Sequence, residues 1–542
     1  MEELQNLFFS LPLPYEYVIF PSSTERHAPK IKGLYYYVNR VITDLTRRTF
    51  QHGGFTQSPT FSKWNASWGR QYETPQYTKF QNWQKINHFA GAFLMGRKDD
   101  FHERMSELKE RYPEIATFYP ETYLLPKEAE AFHSAFPNRK VWIFKPAAAA
   151  RGMGIQIFNS SETSEKDLPT RRGVFQVYIE KPLLITKRKF DLRFYALVTS
   201  VNPIRIYMHE NGMARFATHE YDENLPLSNL RMHLTNFSLN KDDSSFILSD
   251  KEDVRNSKWS IQFFFDYIEK QGIDVKSLIK SIEKVSIAAL ISGLSVVREH
   301  HFQCIKHRHT SYELYGIDVI LDEDLNPHIM EINISPSMEA SAKLDKNIKY
   351  PLLIDTLNMA RIIKCNSRSK NPCNSITDID TFYNESMTPE RINSVVNEGA
   401  DPWESPVVAD FVFIRDFLEE NIYKTKFRRV FPKRETVDIF TKCFKQRLYS
   451  DIVFEKWIKM TDDQRFEVIQ RSWNIYKEKM DIVIENHEKE LLNEKLLKEQ
   501  AQNSDDQETD NIEKMFIEAA MESPNINNTT DNQIDKKDIK QI

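Results

Sequence analysis

Apolar and polar positions alternate at strand spacing between residues 140 and 200, where VWIFKP, GIQIF, VFQVYI and FDLRFYALV predict short strands. Upstream, residues 80–135 carry helical patterning, and DDFHERMSELKERY places Phe101, Met105 and Leu108 on one face. Residues 258–300 predict two helices, the second (SLIKSIEKVSIAALISGLSVV) strongly apolar. YELYGIDVILD and PHIMEINIS predict two strands joined by EDLNP, with Asp322 and Asp324 as turn residues. The pattern divides the chain. Residues 1–75 form an aromatic- and Pro-rich N-terminal extension, including the irregular tract HGGFTQSPTFSKWNASWGR. Residues 76–365 form a mixed α/β core, and 366–403 lose periodicity and read as a linker. Residues 404–480 read as a helical basic region, and 481–542 as a charged helix with a disordered Asn-rich end from 522. No repeat at solenoid periods is present.

Composition narrows the class. The 542 residues suffice for two to four structural units. No run of eighteen apolar residues occurs, so no membrane-spanning helix is expected, and the acidic start does not read as a secretory signal. Cys304, Cys365, Cys373 and Cys443 have no metal spacing and suit a reducing compartment. The net charge of −5 says little, but its distribution says more. From Lys424 to Lys459 there are eleven Lys/Arg against four Asp/Glu. This excess reads either as a solvated face or as a surface for an acidic partner. Nucleic acid is not expected, because the whole chain is not basic and no recognition motif accompanies the patch.

The strongest chemical signal lies on the paired strands near residue 320. Glu331 and Asn333 share one strand face, and Asp318 can meet them from the neighbouring strand. Ile317, Val319, Met330 and Ile332 are expected to point to the other side. Two carboxylates and a carboxamide on one face suit Mg²⁺ together with nucleotide phosphates. In VWIFKPAAAARGMGIQIF, Lys145 ends an apolar strand, where a phosphate would be a suitable partner. Gly152 and Gly154 leave room for close backbone approach, and Arg151 adds charge, although an ordinary hairpin would have the same outline. In KRKFDLRFYALVTS, Asp191 and Arg193 share a face with Tyr195 between Phe190, Leu192 and Phe194. A structural salt bridge or a ligand would satisfy that charged pair. Lys189 is placed to reach a phosphate, and QVYIEKP looks like a strand running past an adenine ring. Thr235, Asn236 and Ser238 gather hydrogen-bonding groups in RMHLTNFSLNK, which otherwise reads as a solvated loop.

Taken together, KINHFAGAFLMGRKD, IFKPAAAARGMGIQ, KFDLRFYALVTS, MHLTNFSLNK and YGIDVILDEDLNPHIMEINISPS resemble the tubulin tyrosine ligase-like proteins, specifically their glutamate-adding members. The resemblance covers roughly residues 80–365 and weakens into NIYKTKFRRVFPKRE. It implies an α/β (α+β) ATP-grasp-like ligase core with a C-terminal helical basic extension. It implies ATP contacts at Lys145, Arg151, Gly152, Gln176, Val177, Tyr178, Ile179, Lys189, Phe190, Asp191, Thr235, Asn236 and Asn333. Mg²⁺ ligands would be Asp318, Glu331 and Asn333, and free L-glutamate would meet Arg215, Phe237, Ser238 and Lys258. Arg151, Arg193 and Glu331 would act on the reacting groups. Implied partners are tubulin C-terminal tails, microtubules or other acidic proteins, with no membrane. The implied setting is cytoplasm and cytoskeleton, with cilium or basal body as possible sites. Implied chemistry is activation of an acceptor carboxylate as an acylphosphate, then attack by the amine of glutamate. Two departures stand out: Phe237 where relatives often have Tyr, and no hydroxyl residue before Arg151. Glycine ligation and an inactive microtubule-binding scaffold are the competing readings. The pair Arg215 and Lys258 argues against the first, and intact Asp318, Glu331, Asn333 and Lys145 against the second.

Overall fold

The computed structural model describes residues 2–22, 28–149, 152–222, 227–369 and 372–521, with side chains through 497. Three sheets organise its first unit, residues 1–483. The first sheet is parallel, in order β2-β1-β3-β4, from β1 (Tyr35–Asn39), β2 (Thr56–Gln57), β3 (Ala66–Gly69) and β4 (Lys85–Ile86). Two of these short strands fall in the tract expected to be irregular, whose Gly, Ser and Pro content hides them. The second sheet is antiparallel, in order β5-β8-β6-β7. It comprises β5 (Thr122–Leu125), β6 (Val141–Pro146), β7 (Gln156–Asn159) and β8 (Gly173–Val177).

The third sheet holds eight strands around the fourteen-residue β10 (Arg188–Val201). Short β9 (Leu184–Ile185) precedes it. On one side β10 pairs with β11 (Ile204–His209) and with β12 (Met213–Phe216), which leads to β13 (Lys258–Ser260). On the other side it pairs with β14 (Glu313–Leu321), which pairs with β15 (Pro327–Asn333). Strand alternation explains the layers. Phe190, Leu192, Phe194, Ala196 and Val198 enter one core with Ile317 and Val319 and the thirty-residue helix Val275–Cys304. The opposite face changes character along β10. Tyr195 and Leu197 join a second core with helix Lys343–Ala360, whereas Asp191 and Arg193 stay charged. That charged part of the face is where the site forms.

Four expectations are revised. Lys258–Ser260 is a strand, not the start of a helix. Ser260 caps the helix Ile261–Glu269 by accepting from the Phe263 N–H, so the residues before it are extended and pair with β12. The stretch 366–403 contains helices Asn374–Ser386 and Pro389–Val396. They bury only Ser375, Ile376, Ile379, Tyr383 and Val395, too few apolar positions to stand out as a period. The basic region is not purely helical: Phe427–Phe431 forms β16 and pairs with β11. Finally, Met330 does not point away from the charged face, as described below. Helix Asp462–Met521 agrees with a charged helix over 484–521, and the expected disordered end from 522 lies outside the described residues. Among the described residues, no helix is long and apolar enough to cross a membrane.

Candidate active site

A cleft opens between the second and third sheets. Its lining includes Lys98, Lys145, Gly152, Lys189, Asp191, Arg215, His233, Thr235, Asn236, Asp318, Met330 and Glu331. Strand register builds its floor. Lys258, Arg215 and Asp191 are cross-strand neighbours on β13, β12 and β10. Arg193 faces Asp318, and Asp318 faces Glu331, on β10, β14 and β15. Between Asp318 and Val319 the register slips, leaving Met330 as the extra residue of a bulge. The bulge turns Met330 into the cleft beside Glu331, which simple alternation does not anticipate.

The charged pair on β10 is satisfied within the protein. Arg193 donates to Asp318 at 2.8 Å, and Arg215 bridges Asp191 and Asp318 at 3.0 and 2.9 Å. Burial alone would raise the Asp318 carboxyl. Arg193 and Arg215 override it and hold the group well below the usual carboxylate range. Asn333 donates to Asp318 at 3.4 Å and to Glu331 at 3.3 Å. Mg²⁺ needs only one or two protein carboxylates beside phosphate oxygens, so this set fits it. Glu331 also lies 3.6 Å from Lys98, whose ammonium donates to the Ala149 carbonyl at 2.7 Å. Lys98 thereby ties the small-residue loop to the carboxylate pair. Sequence reading passed over it, although it stands in the quoted GRKD.

Opposite the carboxylates stand two buried lysines. Lys145 donates to Gln176 at 2.7 Å, and Lys189 to the Tyr178 hydroxyl at 2.8 Å. Among the described residues neither makes an ion pair. Burial brings Lys145 down to about 8, with Glu331 opposing it, and brings Lys189 down to about 7, with Lys145 adding to the effect. A buried ammonium without an ion-pair partner is unfavourable, and a phosphate would be a suitable anion for it. The Tyr178 hydroxyl, accepting from Lys189, has its own proton for His233 Nδ1, 2.7 Å away. Burial lowers His233 to about 4, with Lys189 adding to the effect, so a neutral ring can accept through Nδ1. Its Nε2 is buried, has no hydrogen-bond partner among the described residues and belongs to a cleft-lining residue. His233 is the second residue that sequence reading missed; its place two residues before Thr235 was the available signal.

Gly152 has φ +79°, and a Cβ there would lie 2.9 Å from Asn236 Oδ1, so the loop needs glycine to close on Asn236. Phe190 and Thr235 line the cleft as expected. Gln176 and Tyr178 accept from the two lysines without lining the cleft themselves, and Val177 and Ile179 do not line it either. The Val177 and Tyr178 N–H groups already bond the Glu121 and Val141 carbonyls, which leaves them unavailable to an adenine edge. Ser238 is exposed, and Phe237 lays its ring 4.2 Å from the Lys258 ammonium. Arg151 lies outside the described residues.

The sequence profile of the Tubulin-tyrosine ligase family matches residues 76–369. The chain belongs to this family. The match holds every residue of the cleft just described. Among individual relatives, the Caenorhabditis elegans tubulin polyglutamylase ttll-4 is 32% identical over 465 residues, 81% of this chain and 74% of that protein. The human tubulin monoglutamylase TTLL4 is 30% identical over 471 residues, covering 82% of this chain but 39% of the relative. The human tubulin polyglutamylase TTLL6 is 34% identical over 334 residues, 60% of this chain and 37% of the relative. The family match ends before β16, yet β16 completes the sheet that carries the site.

Proposed function

We propose that this protein is an ATP-dependent protein–glutamate ligase that joins free L-glutamate to glutamate side chains of tubulin tails. The observation that carries the reading is the composition of one cleft. Two buried lysines that make no ion pair among the described residues face a carboxylate pair, and Arg215 leads from that pair to Lys258. Lys145, Lys189 and Lys98 hold the phosphates of ATP, with Gly152 of the small-residue loop beside them. Thr235, Asn236 and the His233 Nε2–H bind the nucleotide from the other wall. Asp318, Glu331 and Asn333 would hold Mg²⁺, which would supply positive charge to the transferring phosphoryl group.

An acceptor carboxylate displaces ADP from the γ-phosphoryl group and becomes an acylphosphate. The amine of free glutamate, having lost a proton, attacks the acyl carbon, and phosphate leaves as the isopeptide bond forms. Arg193 lies next to Asp318 and neutralises charge at the reacting carboxylate. Arg215 and Lys258 take carboxylates of the donor, a requirement glycine lacks on its side chain. The protein side chains position and neutralise; none acts as a covalent nucleophile.

The basic region gives the acceptor a landing site. Many of its charges are spent internally: Lys442 pairs with Glu114, Lys445 with Glu107, Lys456 with Asp401 and Arg428 with Glu283. Lys433 and Arg434 line an open groove with Arg429 and Arg465, which Glu435 and Asp462 share, and there Lys433 lies 3.7 Å from Glu435 and Arg465 pairs with Asp462. An acidic tail would lie there. A tubulin acceptor supports a setting on cytoplasmic microtubules, for which a cilium or basal body is one candidate. The test is incorporation of labelled donor into tubulin with Mg-ATP, with glutamate and glycine each competing against the other. Glutamate label displaced only by glutamate supports the reading; glycine label at equal efficiency would replace it with a glycine ligase.

A further inference from the structure

Helix Lys98–Arg111 begins at the cleft. Its first residue, Lys98, lines the cleft; its second, Asp99, is buried beside it and does not. Phe101, Met105 and Leu108 pack the helix into the core that the third sheet covers. The same helix meets β5 and β8 of the second sheet. It therefore joins the two sheets that the cleft separates.

Asp99 has a two-pronged partner on its own segment. Arg97 donates to it from Nε at 3.2 Å and from Nη2 at 2.8 Å. Arg172 adds a third bond, from Nε at 2.8 Å, and it stands immediately before β8 of the second sheet. The Arg172 side chain is 62% exposed, so this pair contributes little to stability. Its effect is on position. The Arg172 carbonyl accepts from the Ala147 N–H at 3.3 Å, where the small-residue loop leaves β6. Arg171 donates to the Gly154 carbonyl at 3.1 Å, where the loop returns. Between those points Lys98 donates to the Ala149 carbonyl at 2.7 Å while lying 3.6 Å from Glu331. The second sheet thus holds the loop at both ends, and the helix start holds its middle. The Asp99–Arg172 pair is the side-chain link that keeps these holds in register.

We propose that Asp99 and Arg172 are positioning residues for nucleotide binding, acting through Lys98 from outside the cleft. With the link in place, Lys98 reaches the loop carbonyl and the carboxylate pair at once, at the point where phosphates enter. Without it, the loop and the helix start separate, and Lys98 follows only one of its partners. The inference rests on the reading of the cleft as a Mg-ATP site.

Calorimetric titration of Mg-ATP tests it on wild type, Arg172→Met, Lys98→Met and the double variant, with a melting temperature taken on each. Arg172→Met is expected to weaken Mg-ATP binding about tenfold, with the melting temperature little changed. The fold has reason to survive, because Asp99 keeps Arg97 and a second tie, His102 Nε2 to Glu128 at 2.9 Å, stays in place. Lys98→Met should weaken binding at least as much, and Arg172→Met added to it should cost nothing further, because the arginine acts through the lysine. Arg172→Lys keeps a donor for the single bond to Asp99 and should recover most of the loss. Should Arg172→Met fail to fold, Arg172→Gln takes its place in the same cycle. Unchanged Mg-ATP affinity in a folded Arg172 variant, or an equal further loss in the Lys98→Met background, would overturn the assignment while leaving the nucleotide site standing. A wild-type protein that binds no Mg-ATP would remove the nucleotide reading and this inference with it.

Discussion

Lys145 and Lys189 are the residues where burial and function meet most sharply. Each is charged at a cost that only an anion relieves, so nucleotide binding must raise their affinity for protons. The sign follows: protonated lysines bind phosphate, and as pH climbs through about 7 to 8 the free protein loses those charges. Mg-ATP affinity should therefore fall between pH 7 and 9, and the rise in melting temperature given by Mg-ATP should shrink over the same range. Calorimetric titrations across that range check it; affinity constant with pH would deny the lysines this role. The same depressed values mean that, without nucleotide, these two groups favour folding more as pH rises from 7 toward 10. Arg215 carries a different expectation, because it bridges Asp191 and Asp318. Arg215→Ala leaves two buried carboxylates short of a partner, a loss of about 3–5 kcal/mol. It should lower the melting temperature as well as glutamate use, so a loss of glutamate use with unchanged stability would contradict the geometry. At this scale Asp318 and Glu331 were legible, because carboxylates among apolar strand residues demand a reason. His233 was not, since its role depends on Tyr178 and Lys189, which only the fold brings to it.

Strands and helices of the core were largely legible, because apolar alternation in β10, β14 and β15 answers directly to burial on both sheet faces. The bulge at Met330 was not, because register between strands leaves no trace in one strand's own pattern. Nor was β16: its charges suggested a surface segment, whereas it extends the central sheet beyond β11. Helix Val408–Tyr423 binds this region to the core through buried charges. Glu420 accepts from Arg205 at 3.1 Å and from the Tyr207 hydroxyl at 2.6 Å, and Glu419 pairs with Arg361 at 2.8 Å. Removing this helix together with β16 would strand Arg205 and Arg361 in the interior and bare the β11 edge. A chain ending at residue 403 should consequently fail to give a cooperatively folding core, as read by circular dichroism on heating. A truncated chain with wild-type melting and activity would show that the basic region is a detachable extension.

On the scale of the whole first unit, a cleft with charged residues in its lining lies between the second and third sheets, and an open groove with four basic and two acidic residues lies at another place, beside β16. Charge reversal at Lys433 and Arg434 should raise the acceptor KM about tenfold and flatten its dependence on salt, with the ATP KM unmoved. An acceptor KM unchanged at every ionic strength would return the groove to plain solvated surface. Glu331→Gln should instead cut turnover by at least about 10²-fold without changing the fold, because it alters only the carboxylate pair of the cleft. The most direct measurement combines these threads. Tubulin is incubated with the protein, Mg-ATP and an equimolar mixture of glutamate and glycine, and its intact mass is recorded alongside a Glu331→Gln control. Mass steps of glutamate that disappear in the control are the predicted result. Glycine steps, or glutamate steps that persist undiminished in the control, would contradict the account of the cleft.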